Sequence, residues 1–372
     1  MRKFLCLLSF MLALFIALTL PASALSAPSV SARSAILIEG TTGKILFSRS
    51  AQARMPMAST TKIMTAIVAI EECDDLSKAV KIDQRAVGVE GSSIYLYGGE
   101  ELTMESLLYA LMLSSANDAA VAIAYAVGGS VENFVCKMNE KASELGLLDT
   151  HFTNPNGLHD DGHYTTAHDL AKITAYALKN ETFRTIVSTK SKTITQVGGD
   201  GVRPLSNHNK LLSLYKGAIG VKTGFTKKAG RCLVSAAERD GLMLIAVTLN
   251  APNDWNDHIS MLNFGFDAYE MLSFDDVSYS VPVISGDKTS ITVKNSKPMS
   301  AFLSKERDKI TVRVELPRFV YAGVSQGDIL GKVEYVCAGR VIASSPLVAQ
   351  ETAEKIIYRK NILEWIASLF GY

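Results

Sequence analysis

Three segments of this chain are apolar on nearly every side of a helix: KIMTAIVAI from Lys62, ESLLYALML from Glu105 and DAAVAIAYAV from Asp118. A helix of that kind has no face to give to water and must lie inside a large core. The 372 residues, 48% hydrophobic and 20% charged, are enough to build one, and the length suits one catalytic-sized domain with an appendage. The first helix is expected to start near Ser59 and run to about Glu72. SSAN (114–117) interrupts the other two as a short polar connection between buried helices, and Gly128-Gly129 stop the second.

The strands follow a different pattern. SAILIE and KILFSR flank Gly40-Thr41-Thr42-Gly43 and read as a hairpin. GVKTGFT and CLVSAAER are strand-like, and Asp240-Gly241 joins the latter to LMLIAVTL as a tight hairpin. Residues 150–170, rich in Asn, Gly, Asp and His, read as an ordered loop before a helix at DLAKITAYAL. The expected fold class is α+β, an antiparallel sheet flanked by helices with an inserted helical region. From about Ser273 to Val277 the pattern turns to period two, as in ITVRVEL, and predicts a small all-β domain over 275–350.

The two ends read differently again. Arg2 and Lys3, an uncharged run from Phe4 to Leu20, Pro21 and Ala22-Ser23-Ala24 form a secretory signal over 1–24, the alternative being an uncleaved anchor. Without it the chain carries 36 basic and 37 acidic residues, a balance that gives no support for nucleic acid as a partner. In the last segment, 351–372, Tyr358, Ile362, Trp365, Ile366 and Leu369 share a helical face opposite Lys360, Asn361, Glu364 and Ser368. It is too short and charged to span a bilayer and suits an amphipathic helix lying on a membrane surface. The catalytic domain would then occupy 25–274. Four cysteines remain after signal removal, without C-x-x-C spacing, and isolated buried thiols are expected.

The chemistry concentrates at Ser59-Thr60-Thr61-Lys62. One helical turn separates Ser59 from Lys62, which puts hydroxyl and amine on one face. A serine needs a base to become a nucleophile, and burial against Ile63, Met64 and Ile67 would lower the lysine pKa towards that task. S-x-x-K recurs at Ser213–Lys216 and Ser285–Lys288, so the pattern alone is weak, and Ser59 also suits a plain N-cap. S-x-N at Ser115-Ala116-Asn117 and K-T-G at Lys222-Thr223-Gly224 each occur once. The bland readings are an N-cap for Asn117 and Asp118, a solvated strand residue for Lys222 and a bulge for Gly224.

The order S-x-x-K, S-x-N, K-T-G resembles the penicillin-binding proteins and serine β-lactamases. PMASTTKIMTA, FTNPNGLHDDGHYTTAHDLA and GAIGVKTGFTKKAGRCLVSAAERDG resemble the low-molecular-mass D-alanyl-D-alanine carboxypeptidases, as do the signal, the β-rich domain and the tail. That resemblance implies a β-lactamase/DD-peptidase-like fold and removal of the terminal D-alanine from peptidoglycan stem pentapeptides, with β-lactams as inhibitors and no cofactor. Ser59 would attack the penultimate D-alanine carbonyl, with Lys62 as base and Ser115 relaying protons. Asn117 would position the substrate amide. Lys222 would present positive charge to Ser115 and the substrate carboxylate, and Thr223 would add a hydroxyl. Gly224 would keep the strand edge clear for the peptide. The N–H groups of Ser59 and Phe225 would form the oxyanion hole. An arginine often helps hold the carboxylate in this family, and the sequence leaves Arg54, Arg231 and Arg239 unchosen.

Three rival functions share these residues or their neighbours. A serine β-lactamase uses the same triplets, but no E-x-x-L-N stretch lies between Asn117 and Lys222. A metal hydrolase would draw on His159, His163 and His168 with Asp160, Asp161 and Asp169, yet no H-E-x-x-H occurs and the composition says loop. A penicillin-sensing or wall-binding module would acylate and stop, which the motifs do not separate from a peptidase.

Overall fold

A computed structural model describes residues 26–357; the signal and all but the start of the tail lie outside them. The chain divides into two units, at Asp267/Ala268.

The first unit is built on a five-stranded antiparallel sheet in the order Ile45–Arg49, Ser34–Glu39, Leu242–Leu249, Gly230–Arg239, Ala218–Thr226. The first hairpin turns through 40–43, where the Glu39 carboxylate accepts from the N–H groups of Thr41 and Thr42. The Asp240-Gly241 turn has φ of 50° and 77°, the left-handed pair that a two-residue hairpin needs.

Alternate residues of the central strands serve opposite faces. Ile36, Ile38, Val234, Ala236, Ile245 and Val247 join the main core with the helices Lys62–Glu72, Met104–Leu113 and Asn117–Gly128. On the other face lies the helix Asp254–Ala268. Its His258 bridges Ser235 and Thr248, and the space above Gly265 is filled by Leu244 and Leu37. With both faces covered, Ser34–Glu39 is buried along its length.

The expected helix at Ser59 starts otherwise. Ala58–Thr61 is a 3-10 turn, and the α-helix proper runs Lys62–Glu72. Neither start has a side-chain cap, so Ser59 is not an N-cap. Thr60 and Thr61 turn their hydroxyls back onto the Met57 and Ala58 carbonyls. These contacts tighten the first turn.

The second unit is all-β over its described residues. A six-stranded sheet runs Thr311–Glu315, Ile329–Cys337, Arg340–Ala349, Ser290–Asn295, Ser278–Ile284, Val320–Tyr321, beside a pair formed by Tyr269–Phe274 and Met299–Ser304. Tyr269–Phe274 finds its partner some thirty residues downstream, so this unit begins before the expected 275. Residues 351–357 are not helical. Ala353, fully buried, bridges Val324, and Lys355 bridges Gly286. Ala353 joins this small core and backbone pairing extends the start of the tail, while residues 358–369, whose spacing suggested a helix, lie outside the described residues. The four cysteines are free thiols; Cys232 and Cys337 are buried but Cys136 is exposed.

Candidate active site

The site forms where the 3-10 turn meets the edge strand Ala218–Thr226. Among the described residues this strand pairs only with Gly230–Arg239, and its other side approaches the turn. A Cβ at Gly224 would stand 3.1 Å from the Ser59 nitrogen and 3.2 Å from the Met57 carbonyl oxygen. Glycine is what permits that approach.

Ser59, Ser115, Thr223, Gly224 and Phe225 line one cleft of about 330 Å³, together with Ser92, His208, Arg231, Asp254 and Trp255. A larger depression beside Glu72–Lys81 carries none of the motif residues. Ala58 and Ser115 hold φ of 48° and 57°, left-handed values that non-glycine residues rarely adopt. Such strain collects at functional sites.

Lys62 is fully buried. Its Nζ donates to Ser59 Oγ at 3.0 Å, to Asn117 Oδ1 at 2.6 Å and to the Asn156 carbonyl at 2.6 Å. Burial, and next the neighbouring Lys222, push its amine well below the ordinary lysine value, while the Asp118 carboxylate opposes them. Lys222 is also buried and not solvated on its strand; desolvation brings its amine down to about 7, and its Nζ donates to the Thr223 carbonyl at 3.0 Å.

Asn117 is the first residue of its helix and not a cap. Its Oδ1 accepts from Lys62, and its Nδ2 donates to the Glu90 carbonyl at 2.6 Å. Asp118 likewise is no cap for a neighbouring turn. Its buried carboxylate accepts from Ser93 Oγ and from the N–H groups of Ile94 and Leu96. Together the pair ties the 90–96 segment to the S-x-N turn, with the Asn117 N–H donating to the Ser92 carbonyl.

Four groups here were either missed by the sequence reading or given another standing there, His163 as a candidate metal ligand and Arg231 as one of three unchosen arginines. The Asn156 carbonyl is one, held in the loop Thr153–Leu158, where Thr65 Oγ1 also donates to Pro155 O. Gly157 (φ 87°) lets that loop press on the turn, since a Cβ there would stand 2.0 Å from the Ala58 carbonyl oxygen. His163 is the second: its ring accepts from the Thr153 N–H at Nδ1, and Nε2 meets Thr61 Oγ1 at 2.7 Å. Desolvation holds this imidazole down at about 4, a neutral strut of the turn. Among the described residues no cluster of three or more His, Cys, Asp or Glu is placed to hold a metal ion.

His208 and Arg231 are the other two. His208 lines the cleft, its basicity lowered by burial and then by Lys222. Arg231 stands opposite Phe225 in the strand register and pairs with buried Asp254 at 2.9 Å. Of the arginines left open, Arg54 pairs with Asp149 and Arg239 lies over Tyr215 and Phe266, so only Arg231 of the three lines the cleft. The composition of 150–170 signalled an ordered loop, but nothing local signalled a carbonyl aimed at Lys62.

This arrangement puts an amine of lowered basicity in hydrogen-bond reach of a serine hydroxyl on a cleft floor, the geometry of a serine activated by a neutral lysine. Comparison with known proteins gives the chain its family. Residues 22–253 match the family described as D-alanyl-D-alanine carboxypeptidase, and residues 266–355 match the penicillin-binding protein 5 C-terminal domain. The chain is 36% identical over 336 residues to D-alanyl-D-alanine carboxypeptidase DacF of Bacillus subtilis, covering 87% of this chain and 86% of that one. It is 39% identical over 266 residues to the D-alanyl-D-alanine carboxypeptidase of Streptomyces sp. K15, covering 66% of this chain and 91% of the relative. Among solved structures, penicillin-binding protein 5 from Haemophilus influenzae superposes with a TM-score of 0.67 at 28% identity, over 89% of this chain and 99% of that one. By sequence and by the fold around Ser59 and Lys62, the chain belongs to the D-alanyl-D-alanine carboxypeptidase family.

Proposed function

We propose that the protein is a serine D-Ala-D-Ala carboxypeptidase that removes the terminal D-alanine from peptidoglycan stem pentapeptides. The observation that carries this reading is the fully buried Lys62 amine 3.0 Å from Ser59 Oγ. In the neutral amine the two N–H groups serve the Asn117 and Asn156 carbonyl oxygens, which leaves the nitrogen lone pair to accept the Ser59 hydroxyl proton.

Lys62 takes the Ser59 proton as Oγ attacks the penultimate D-alanine carbonyl. The developing oxyanion is received by the N–H groups of Ser59 and Phe225. Collapse of the intermediate breaks the peptide bond, Ser115 passes a proton to the departing D-alanine nitrogen, and water then hydrolyses the ester. Asn117 fixes Lys62, and the remaining lone pair of its Oδ1 is available to a substrate amide N–H. Lys222, Thr223 and Arg231 face the terminal carboxylate. Arg231 fills the role the sequence left open, because it reaches the cleft from the strand beside K-T-G. Gly224 leaves the strand edge clear for the peptide.

β-Lactams acylate the same Ser59. The first unit carries the chemistry; the signal exports the chain, and the tail beyond the described residues holds it to the outer face of the cytoplasmic membrane. The test is release of free D-alanine from diacetyl-Lys-D-Ala-D-Ala by the mature protein. Release is expected from the wild type and not from Ser59→Ala. Undiminished release by the variant, or rapid penicillin turnover with no D-alanine release, overturns the reading.

A further inference from the structure

The second unit carries an apolar face that its fold does not use. Val320–Tyr321 is an edge strand of two residues, paired in parallel with Val283–Ile284. Tyr321 stands directly beside Ile284, and Phe319 meets the Tyr321 ring edge-on at 5.6 Å, so the three side chains form one surface. The chain returns to the same place at its end. The Ile356 N–H donates to the Ser285 carbonyl, and Lys355 bridges Gly286. Tyr321 is 66% exposed and Ile357 77%, with Phe319, Ile284 and Ile356 exposed beside them. Arg318 and Lys355 border the face, as do Asp287 and Glu354, which bond to each other through their backbones. A contiguous exposed apolar patch with two aromatic rings marks an interaction surface.

We infer that this face docks on a phospholipid bilayer, so that the β unit itself touches the membrane beside the tail. The inference rests on the membrane reading of the tail. From Ile357 the chain continues for fifteen residues, and these bring Ile362, Trp365, Ile366 and Leu369 to one face of a helical repeat. A tail in the headgroup layer therefore starts at the apolar face. Aromatic rings and isoleucines bordered by charged residues of both signs suit the boundary between headgroups and acyl chains. A second copy of the chain fits less well, because an edge strand of two residues offers little ladder for strand addition.

The test uses the full mature chain with vesicles of phosphatidylcholine and phosphatidylglycerol, one batch brominated in the acyl chains. Tyr321→Trp in a Trp365→Phe background reports on the face. Its fluorescence is expected to be quenched by brominated lipid beyond that of the Trp365→Phe parent. Phe319→Ser with Ile357→Ser should lower vesicle partitioning about tenfold, with D-alanine release in solution unchanged. Val312→Ser with Val314→Ser, exposed on the opposite edge strand, should leave partitioning as it was. Protein that pellets with vesicles but shows no quenching at position 321 overturns the inference and leaves the tail reading intact. Equal loss from both pairs of substitutions overturns it as well. No pelleting at all overturns both, and a dimer abolished by the face substitutions without effect on vesicles assigns the face to a second copy.

Discussion

Lys62 Nζ lies 3.0 Å from Ser59 Oγ, one residue type on each side of the junction between a 3-10 turn and an α-helix. The junction sets the pair: the tighter turn brings the hydroxyl back over the first residue of the helix, while the helix buries the amine. Lys62→Arg keeps the charge but supplies a group that stays protonated. Acylation by benzylpenicillin and D-alanine release are both expected to fall by about 10³-fold or more. Stopped-flow acylation rates check this, and a variant within tenfold of the wild type would remove Lys62 as the base.

The pH profile follows from the two lysines. Lys62 must be neutral to act, so kcat/KM rises with pH through its lowered pKa. Lys222 must be charged to hold a carboxylate, and burial lets it lose that charge as pH rises through about 7. The free enzyme should therefore show a bell whose alkaline limb disappears in Lys222→Arg, read from kcat/KM between pH 5 and 10.

Asp118 acts on the same profile from a distance. Its carboxylate favours the Lys62 ammonium, so Asp118→Asn should move the acid limb to lower pH. The amide also gives up the charge that serves the Ser93 hydroxyl and the N–H groups of Ile94 and Leu96. A stability loss of about 2 kcal/mol is expected by urea denaturation.

Gly157→Ala tests the loop that presents the Asn156 carbonyl. The added methyl would meet the Ala58 carbonyl carbon at 2.5 Å as well as its oxygen, in a backbone conformation that L residues rarely adopt. We expect a loss of about 2–4 kcal/mol and a sharp fall in kcat, because the displaced loop withdraws a partner of Lys62. Activity and urea midpoints both at wild-type values would show that the loop does not set the site.

Buried histidines govern acid stability. His163 and His258 titrate at about 4 and about 3 in the folded chain, against an ordinary value of 6.5. Below pH 6.5 the unfolded chain takes up protons that the native state refuses, so stability falls as pH drops from about 6.5 towards those folded values. The His163 contribution alone approaches roughly 3 kcal/mol at pH 4. His163→Gln should flatten that slope in urea midpoints measured from pH 7 to 4.

Much of the first unit was legible because its signals are local. Apolar helices, a two-residue Asp-Gly turn and three short motifs each depend on neighbours in the chain. The sequence by itself determined that Lys62 enters a hydrophobic helix and that S-x-x-K, S-x-N and K-T-G occur in order. It also determined an α+β catalytic unit followed by strands. The tertiary structure decided what those residues touch. It made Ser59 part of a 3-10 turn, gave the Asn117 side chain to Lys62 and Glu90, and buried Lys222. It also brought the Asn156 carbonyl to Lys62 and His163 to Thr61 across 94 and 102 residues, and set Arg231 in the same cleft as Ser59. A hydrogen bond between groups so far apart leaves no periodicity in the sequence, because its geometry is set by how the loop and strand edges pack and not by the residues beside it. The start of the second unit and the extended run 351–357 were hidden for the same reason: their partners lie in other strands.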